Sequence, residues 1–214
     1  DILSFDPEEN NAFEIGFKGD FLNNRARVNV ALFQYDYDDF QLETNRGGSI
    51  LIQNAATLDT KGIELEGRFL LGDRVDVRIA VAKLDAEFDK GMIDDGEGNI
   101  IDLSGLNAPR APELTAAISA DIQITESIEL NLGYTYTDEQ YYTADNRVAL
   151  KTDSYNLWNA RLDYISPDDK WGVSLIGENL GDEEYVSSMI DFLLPMTLPG
   201  MGRLVRLEAS YSFR

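Results

Sequence analysis

The chain closes on RLVRLEASYSFR, residues Arg203 to Arg214, and the reading of this stretch decides the fold. Val205, Leu207, Ala209, Tyr211 and Phe213 alternate with Arg206, Glu208, Ser210, Ser212 and Arg214. A period of two sorts side chains onto opposite faces of a strand, so one face here is apolar and aromatic while the other carries charges and hydroxyls. Such a strand fits a soluble sandwich with its oily face inward, or a membrane barrel with its oily face outward.

The same alternation recurs along the chain. Phe13, Ile15 and Phe17 alternate with Glu14, Gly16 and Lys18, and after Asn23-Asn24 the residues Val28, Val30 and Leu32 share a face. Ile63, Leu65 and Phe69 oppose Glu64, Glu66 and Arg68; beyond Gly72-Asp73, Val75, Val77, Ile79 and Val81 oppose Asp76 and Arg78. Further strands are expected around Leu114–Gln123, Ile128–Thr137, Trp158–Tyr164 and Trp171–Leu175, and the closing stretch makes nine. β-Branched and aromatic residues dominate these segments, and no helical stripe persists.

Loop lengths separate the two architectures. The turns near Asn23-Asn24, Gly72-Asp73, Thr125-Glu126 and Ser166-Pro167-Asp168-Asp169 are short and polar. The connections Gln41–Asn54, Asp85–Pro112, Asp138–Ser154 and Glu183–Gly202 are long. Short turns at one end and long loops at the other is the asymmetry of an outer-membrane barrel, whereas a sandwich mixes lengths at both ends. Aromatics near strand ends (Tyr35, Tyr37, Tyr134, Tyr136, Tyr141, Tyr142, Tyr155, Trp158, Trp171, Tyr185, Tyr211, Phe213) suit girdles at the membrane interfaces.

The expected fold is therefore all-β, an antiparallel transmembrane β-barrel. Val77, Ile118, Leu132 and Leu162 are expected to face lipid, and Glu66, Arg78, Asp121, Asn131 and Arg161 the lumen. Nine strands do not close a bacterial single-chain barrel, which has an even number, and an unpaired edge has no partner in lipid. Residues 1–214 are thus expected to form part of a larger barrel.

Composition closes several function classes. Eighteen Lys and Arg against 39 Asp and Glu give a formal charge of -21, which repels phosphate backbones and argues against a nucleic-acid partner. The chain has neither cysteine nor histidine, so thiolate sites, Ser-His-Asp triads and His-based zinc or haem ligation within it are excluded. The opening DILSFDPEEN does not read as a signal peptide, and no apolar run reaches the ~18 residues of a membrane helix.

Several stretches, in order, resemble the C-terminal barrel region of TonB-dependent outer-membrane receptors. They are FDPEENNAFEIGFKGDFLNNRARVNVALFQYDYDDFQ, NAATLDTKGIELEGRF, LNAPRAPELTAAISADI, YNLWNARLDYISPDDKWGVSLIGENLGDEEYV and the terminal LEASYSF. The most specific elements are Phe13-Glu14-Ile15-Gly16, Lys61-Gly62-Ile63-Glu64-Leu65, Asn107-Ala108-Pro109, Glu178-Asn179-Leu180 and Asp182-Glu183-Glu184-Tyr185. The resemblance implies a 22-stranded barrel in the bacterial outer membrane, with an N-terminal plug in its lumen. It further implies uptake of a scarce nutrient, commonly a ferric siderophore, driven by the TonB complex through the plug region. Plug, TonB box and earlier strands are expected outside these 214 residues. Two departures stand out: Gly202-Arg203 where the family often has Pro-Arg, and Arg214 following the terminal aromatic Phe213.

Ligand contact is expected from the long loops, with Tyr141, Tyr142 and Arg147 as candidates for an aromatic or anionic siderophore. The apolar stretch MIDFLLPMTLPGM adds Met189, Phe192 and Met196; packing between loops is its plainer reading. The acidic run with Asp89, Asp94, Asp95, Glu97 and Asp102 invites calcium, but it lacks the spacing of a calcium loop and reads as a solvated loop. Glu64 and Glu66 read as lumen-lining residues, not as an acid–base pair, because nothing completes a catalytic constellation. No enzyme activity, cofactor or metal site is expected, and the lack of histidine argues weakly against haem capture. The competing readings are another outer-membrane barrel, such as a passive channel or adhesin, and a soluble all-β binding module. An upstream plug separates the first, and detergent dependence the second.

Overall fold

Four tight turns reverse the chain at one end of the structure, at the positions where the sequence places them. The computed structural model describes residues 5–46, 49–94, 99–191 and 194–213. β1 (Glu9–Phe21) and β2 (Ala26–Arg46) are joined through Leu22, Asn23 and Asn24, all with φ between 53° and 64°. Asparagine tolerates this left-handed region better than most residues, which accounts for the Asn-Asn pair. β3 (Ser49–Leu71) turns into β4 (Val75–Asp94) at Gly72, whose φ is 63°. β6 (Leu114–Thr125) meets β7 (Ile128–Thr137) across two residues. β10 (Tyr155–Ile165) meets β11 (Trp171–Glu178) through Ser166–Lys170, where the Ser166 hydroxyl donates to Asp168 at 2.6 Å and accepts from the Trp171 amide at 2.9 Å.

With β14 (Leu204–Tyr211), these make one antiparallel sheet in the order β1-β2-β3-β4-β6-β7-β10-β11-β14. The nine expected strands are these nine. Short extra strands lie at the opposite end: β5 (Ile100–Asp102) on β4, a ribbon of β8 (Gln140–Tyr141) and β9 (Lys151–Thr152), and a ribbon of β12 (Val186–Asp191) and β13 (Pro195–Pro199). Among the described residues, β1 and β14 each pair on one side only.

The pairing register separates two faces. Ile79 lies opposite Ile118, Ala120 opposite Leu132, and Leu130 opposite Leu162. Ile118, Leu132 and Leu162 are 41–43% exposed, and none of them, nor Val77, belongs to a buried core. Asp76 lies opposite Asp121, Asp121 opposite Asn131, and Asn131 opposite Arg161. A recess lined by Asn29, Glu66, Arg78, Ser119 and Asn159 marks the polar side as the hollow one. The two expected sets thus fall on opposite faces, with the apolar set outward.

The tall strands depart from expectation. β2 and β3 stay paired as far as Arg46 and Ser49, so Gln41–Asn54 is mostly a strand ribbon, not a loop. β4 likewise runs through Asp85 to Asp94. At about 3.3 Å per residue, the 23 residues of β3 far exceed the ~25 Å apolar band of a membrane barrel. The upper parts persist because they bury a core of their own. Leu42, Ala56, Leu58, Phe88 and Ile93 pack there with Leu103, Ala108 and Ala144 from the connections.

Aromatic placement is corrected in part. Trp158 lies opposite Tyr134 and Trp171 opposite Tyr211 on the apolar face, with ring centroids 4.5 and 4.6 Å apart. Tyr211 also meets Phe213 edge-on. Tyr155 and Tyr185 instead stack on each other at the loop end, and Tyr37 packs on Phe40 against the buried core. These three serve loop packing because strand parity or loop position turns them away from the apolar face.

Candidate functional site

The hollow face is built first by strand alternation, which brings charged side chains of neighbouring strands within reach. Arg27 pairs with Asp20 at 2.6 Å, and the Asn29 amide donates to Glu66 at 3.1 Å. Asp76 lies between Arg68 at 2.7 Å and Arg78 at 2.8 Å, and Arg78 also holds Asp121 at 2.7 Å. Asn131 donates to Asp121 and Glu129 at 3.0 and 2.9 Å, while Arg161 holds Asp163 at 2.7 Å. Ser174 donates to Asp163 from the next strand. The result is a belt of paired charges across β1 to β11, nearer the short turns. Above it Ala80, Ala117, Ser119 and Gly133 keep the surface low, leaving a recess of about 400 Å³.

This belt offers docking contacts and not acid–base chemistry. Glu66 is engaged with Asn29, and Arg68 is engaged with Asp76 on another strand, so Glu64, Glu66 and Arg68 do not act as a unit. In the acidic run, Asp102 accepts from both the amide and the hydroxyl of Ser104, at 3.0 and 2.7 Å. Those bonds, the amide first, hold its carboxyl below the usual aspartate range. Asp95 and Glu97 lie outside the described residues.

At the loop end, the family-like motifs find physical roles. Asn179, buried and with φ 47°, closes the β11–β14 connection. Its carboxamide donates to the carbonyls of Glu183 and Met201 at 2.9 and 3.0 Å and accepts from the Glu183 amide at 2.9 Å. Asp182 reaches the Arg203 amide and guanidinium at 3.1 and 3.2 Å. Gly200 is required by close approach: a Cβ there would lie 2.1 Å from the Tyr185 ring. Gly62 is similar, because a Cβ would meet the Phe33 ring at 2.5 Å and the Lys83 carbonyl at 2.6 Å.

The residues expected to contact ligand are divided by the structure. Tyr142 and Arg147 both reach the segment that carries Met189. The Tyr142 hydroxyl donates to the Ser187 carbonyl at 3.3 Å, and Arg147 pairs with Asp191 and, at 2.7 Å, with Asp145. Met189 is buried, whereas Met196 is half exposed on the facing strand. Tyr141 points elsewhere, with the Lys151 ammonium 5.3 Å from its ring centre. Phe192 lies outside the described residues. Arg147 is thus already neutralised by two carboxylates. Arg110, which sequence reasoning passed over, places its guanidinium 5.6 Å from the Tyr142 ring centre. Only its position in a long connection signalled it.

Comparisons with known proteins agree with this geometry. Residues 3–180 match the family model described as TonB dependent receptor-like, beta-barrel. A probable TonB-dependent siderophore receptor, PiuA of Acinetobacter baumannii, is 25% identical over 183 residues, covering 84% of this chain and 24% of the relative. The crystal structure of PiuA superposes with a TM-score of 0.79 at 23% identity, over 96% of this chain and 28% of that one. The ferric yersiniabactin uptake receptor FyuA from Yersinia pestis gives a TM-score of 0.77 at 20% identity, over 97% and 30%. The chain spans about a quarter of the length of PiuA.

Proposed function

Since the chain belongs to the TonB-dependent receptor-like β-barrel family, a family of receptors and transporters and not of enzymes, we propose that it is the C-terminal barrel portion of an outer-membrane receptor that binds and actively imports a ferric siderophore or similar scarce nutrient. The observation that carries this reading is the inversion of the sheet, whose exposed face is apolar and whose hollow face holds the charges. Only a chain that meets lipid outside and polar partners inside gains from that arrangement. In this reading the charge belt faces the plug, through which the TonB complex acts. The tall ribbons and long connections lie outside the cell, and the four tight turns lie in the periplasm. Tyr142, Arg110 and Met196 then stand at the mouth where a ligand arrives.

The test compares two variants of the complete receptor. One lacks 188–198, which spares the Asn179 network and the Tyr185–Gly200 contact that close the connection. The other replaces Pro167 and Asp168 in a tight turn by Gly. Radiolabelled ferric-siderophore uptake should fall in the first and persist in the second, with heat-modifiable barrels in both. Loss of uptake from the turn variant alone would invert the assignment of ends. TonB-independent passage of the solute would favour a passive channel.

A further inference from the structure

We infer that Arg147 is a latch residue: it holds the β12–β13 ribbon, through Asp191, against a connection that Asn146 fixes to the neighbouring one. The inference rests on the receptor reading only for the side of the membrane on which the latch sits.

Two adjacent residues reach two different neighbours. Asn146 has φ 49°, and its carboxamide both accepts from the Asn107 amide and donates to the Asn107 carbonyl, at 2.8 Å each. A carboxamide, which carries both a donor and an acceptor, can in this way satisfy the backbone N–H and C=O of one residue together. The Arg110 amide donates to the Tyr141 carbonyl at 2.7 Å, a second tie between the same two connections. Ala144 seals that joint by packing in the core with Leu103 and Ala108. Arg147, extended at φ -62° and ψ 128°, is aimed the other way, toward Asp191 of β12.

The two joints differ in kind. The Asn146 side combines a reciprocal amide pair, a backbone hydrogen bond and buried apolar contact. The Arg147 side is carried by an ion pair, with 46% of the arginine side chain exposed, by the Tyr142–Ser187 hydrogen bond and by β12 lying against residues 148–150, with Met189 buried. Water and salt compete with the ion pair far better than with the Asn146 contacts. The closed latch also leaves polar groups unmet. Asp145 has a side chain only 8% exposed, and its Oδ1 has no partner among the described residues; neither does the Thr143 hydroxyl. Folded proteins rarely leave such atoms unpaired, so an arrangement in which Asp145 and Arg147 turn toward water while Asn146 keeps its partners competes with the closed one. The ribbon parts from the rest at Arg147–Asp191, while the Asn146 joint stays shut.

These 214 residues contain no cysteine, so only cysteines elsewhere in the complete receptor need replacing before labelling. Spin labels at Val148→Cys and Leu194→Cys, both strongly exposed positions, report the distance across the latch in the complete receptor in outer-membrane preparations. One short distance should dominate at low salt. Asp191→Asn should convert a minor longer-distance population into the major one, and Asp191→Glu should keep the short distance. Raising salt on the otherwise unchanged labelled protein should move the population in the same direction as Asp191→Asn. Distances indifferent to both salt and Asp191→Asn would overturn the latch, as would an equal opening in Asp191→Glu and Asp191→Asn. The labels need no ligand. A protein that imports ferric siderophore with unchanged distances keeps the function and loses the latch, and one that opens but imports nothing does the reverse.

Discussion

Leu132 and Phe88 are both large apolar residues on strands of one sheet, yet Leu132 is 42% exposed and Phe88 is 1% exposed. The contrast runs through the molecule. The side chains buried most completely, Phe88, Leu103 and Leu150, all lie at the loop end, where the chain keeps its core as any water-soluble protein does. In the lower sheet, Ile118, Leu132, Leu162, Leu175 and Leu207 stand exposed on one face, while Arg68, Asp76, Arg78 and Asp121 pair on the other. One sequence therefore serves two solvents. Water drives apolar residues together at the loop end, and lipid removes that drive from the lower sheet, so its stability comes from strand pairing and from polar contacts on the hollow side.

The comparison breaks hardest at Phe88. Phe88→Ala should cost about 3–5 kcal/mol locally, the usual range for emptying a well-packed aromatic site. Because that core lies outside the apolar band, the loop end should lose protection in hydrogen exchange and protease digestion while the barrel stays heat-modifiable. Collapse of the whole barrel would show that the two regions are not separate units.

A charge on the outer face comes next. Leu132→Arg should destabilise the folded, membrane-inserted state by ~2–4 kcal/mol if the position lies near the bilayer midplane. Unfolding by guanidinium in lipid vesicles measures it. The same substitution in a water-facing strand would be nearly silent, so a small effect here would break the assignment of faces.

A smaller loss is expected from Asn179→Ala, which strips hydrogen bonds from the amide and carbonyl of Glu183 and the carbonyl of Met201. Leaving such partly buried groups unpaired costs about 1–3 kcal/mol. The β12–β13 ribbon should then exchange its amides faster, with the lower sheet unchanged.

The smallest effect sharpens the other end. The Ser166 hydroxyl, and after it the Lys170 amide, hold the Asp168 carboxyl below its ordinary value of 3.8. A carboxylate with a lowered folded pKa adds stability above its unfolded pKa and loses it as the pH falls through the folded value. Asp168→Asn should therefore differ slightly from wild type near neutral pH, and the difference should vanish under strong acid. Unfolding midpoints across that range test the sign.

Much of this was legible from period and punctuation. Alternation sorted Val77, Ile118, Leu132 and Leu162 from Arg78, Asp121, Asn131 and Arg161, because side-chain direction in a strand depends on parity alone. Asn23-Asn24, Gly72 and Ser166-Pro167-Asp168-Asp169 marked the tight turns, because left-handed and proline-fixed backbone demands particular residues. The candidate site was less legible. Arg147 read as a free cation for an anionic ligand, although its charge is taken by Asp145 and by Asp191, 44 residues away. Arg110 and Asn146 carried no signal beyond their place in the long connections.

The sequence by itself therefore determined the class of fold, the faces of the strands and which end carries the tight turns, all of which follow from local rules of backbone geometry. Only the tertiary structure decided that Gln41–Asn54 and Asp85–Asp94 continue as tall ribbons, because burial of Leu42, Leu58 and Phe88 with Leu103 joins segments far apart in the chain. It likewise decided that Asn146 bridges Asn107 while Arg147 bridges Asp191, contacts spanning 39 and 44 residues. Long-range partners are chosen by which surfaces meet when the sheet has formed, and no periodicity in a single strand records that meeting.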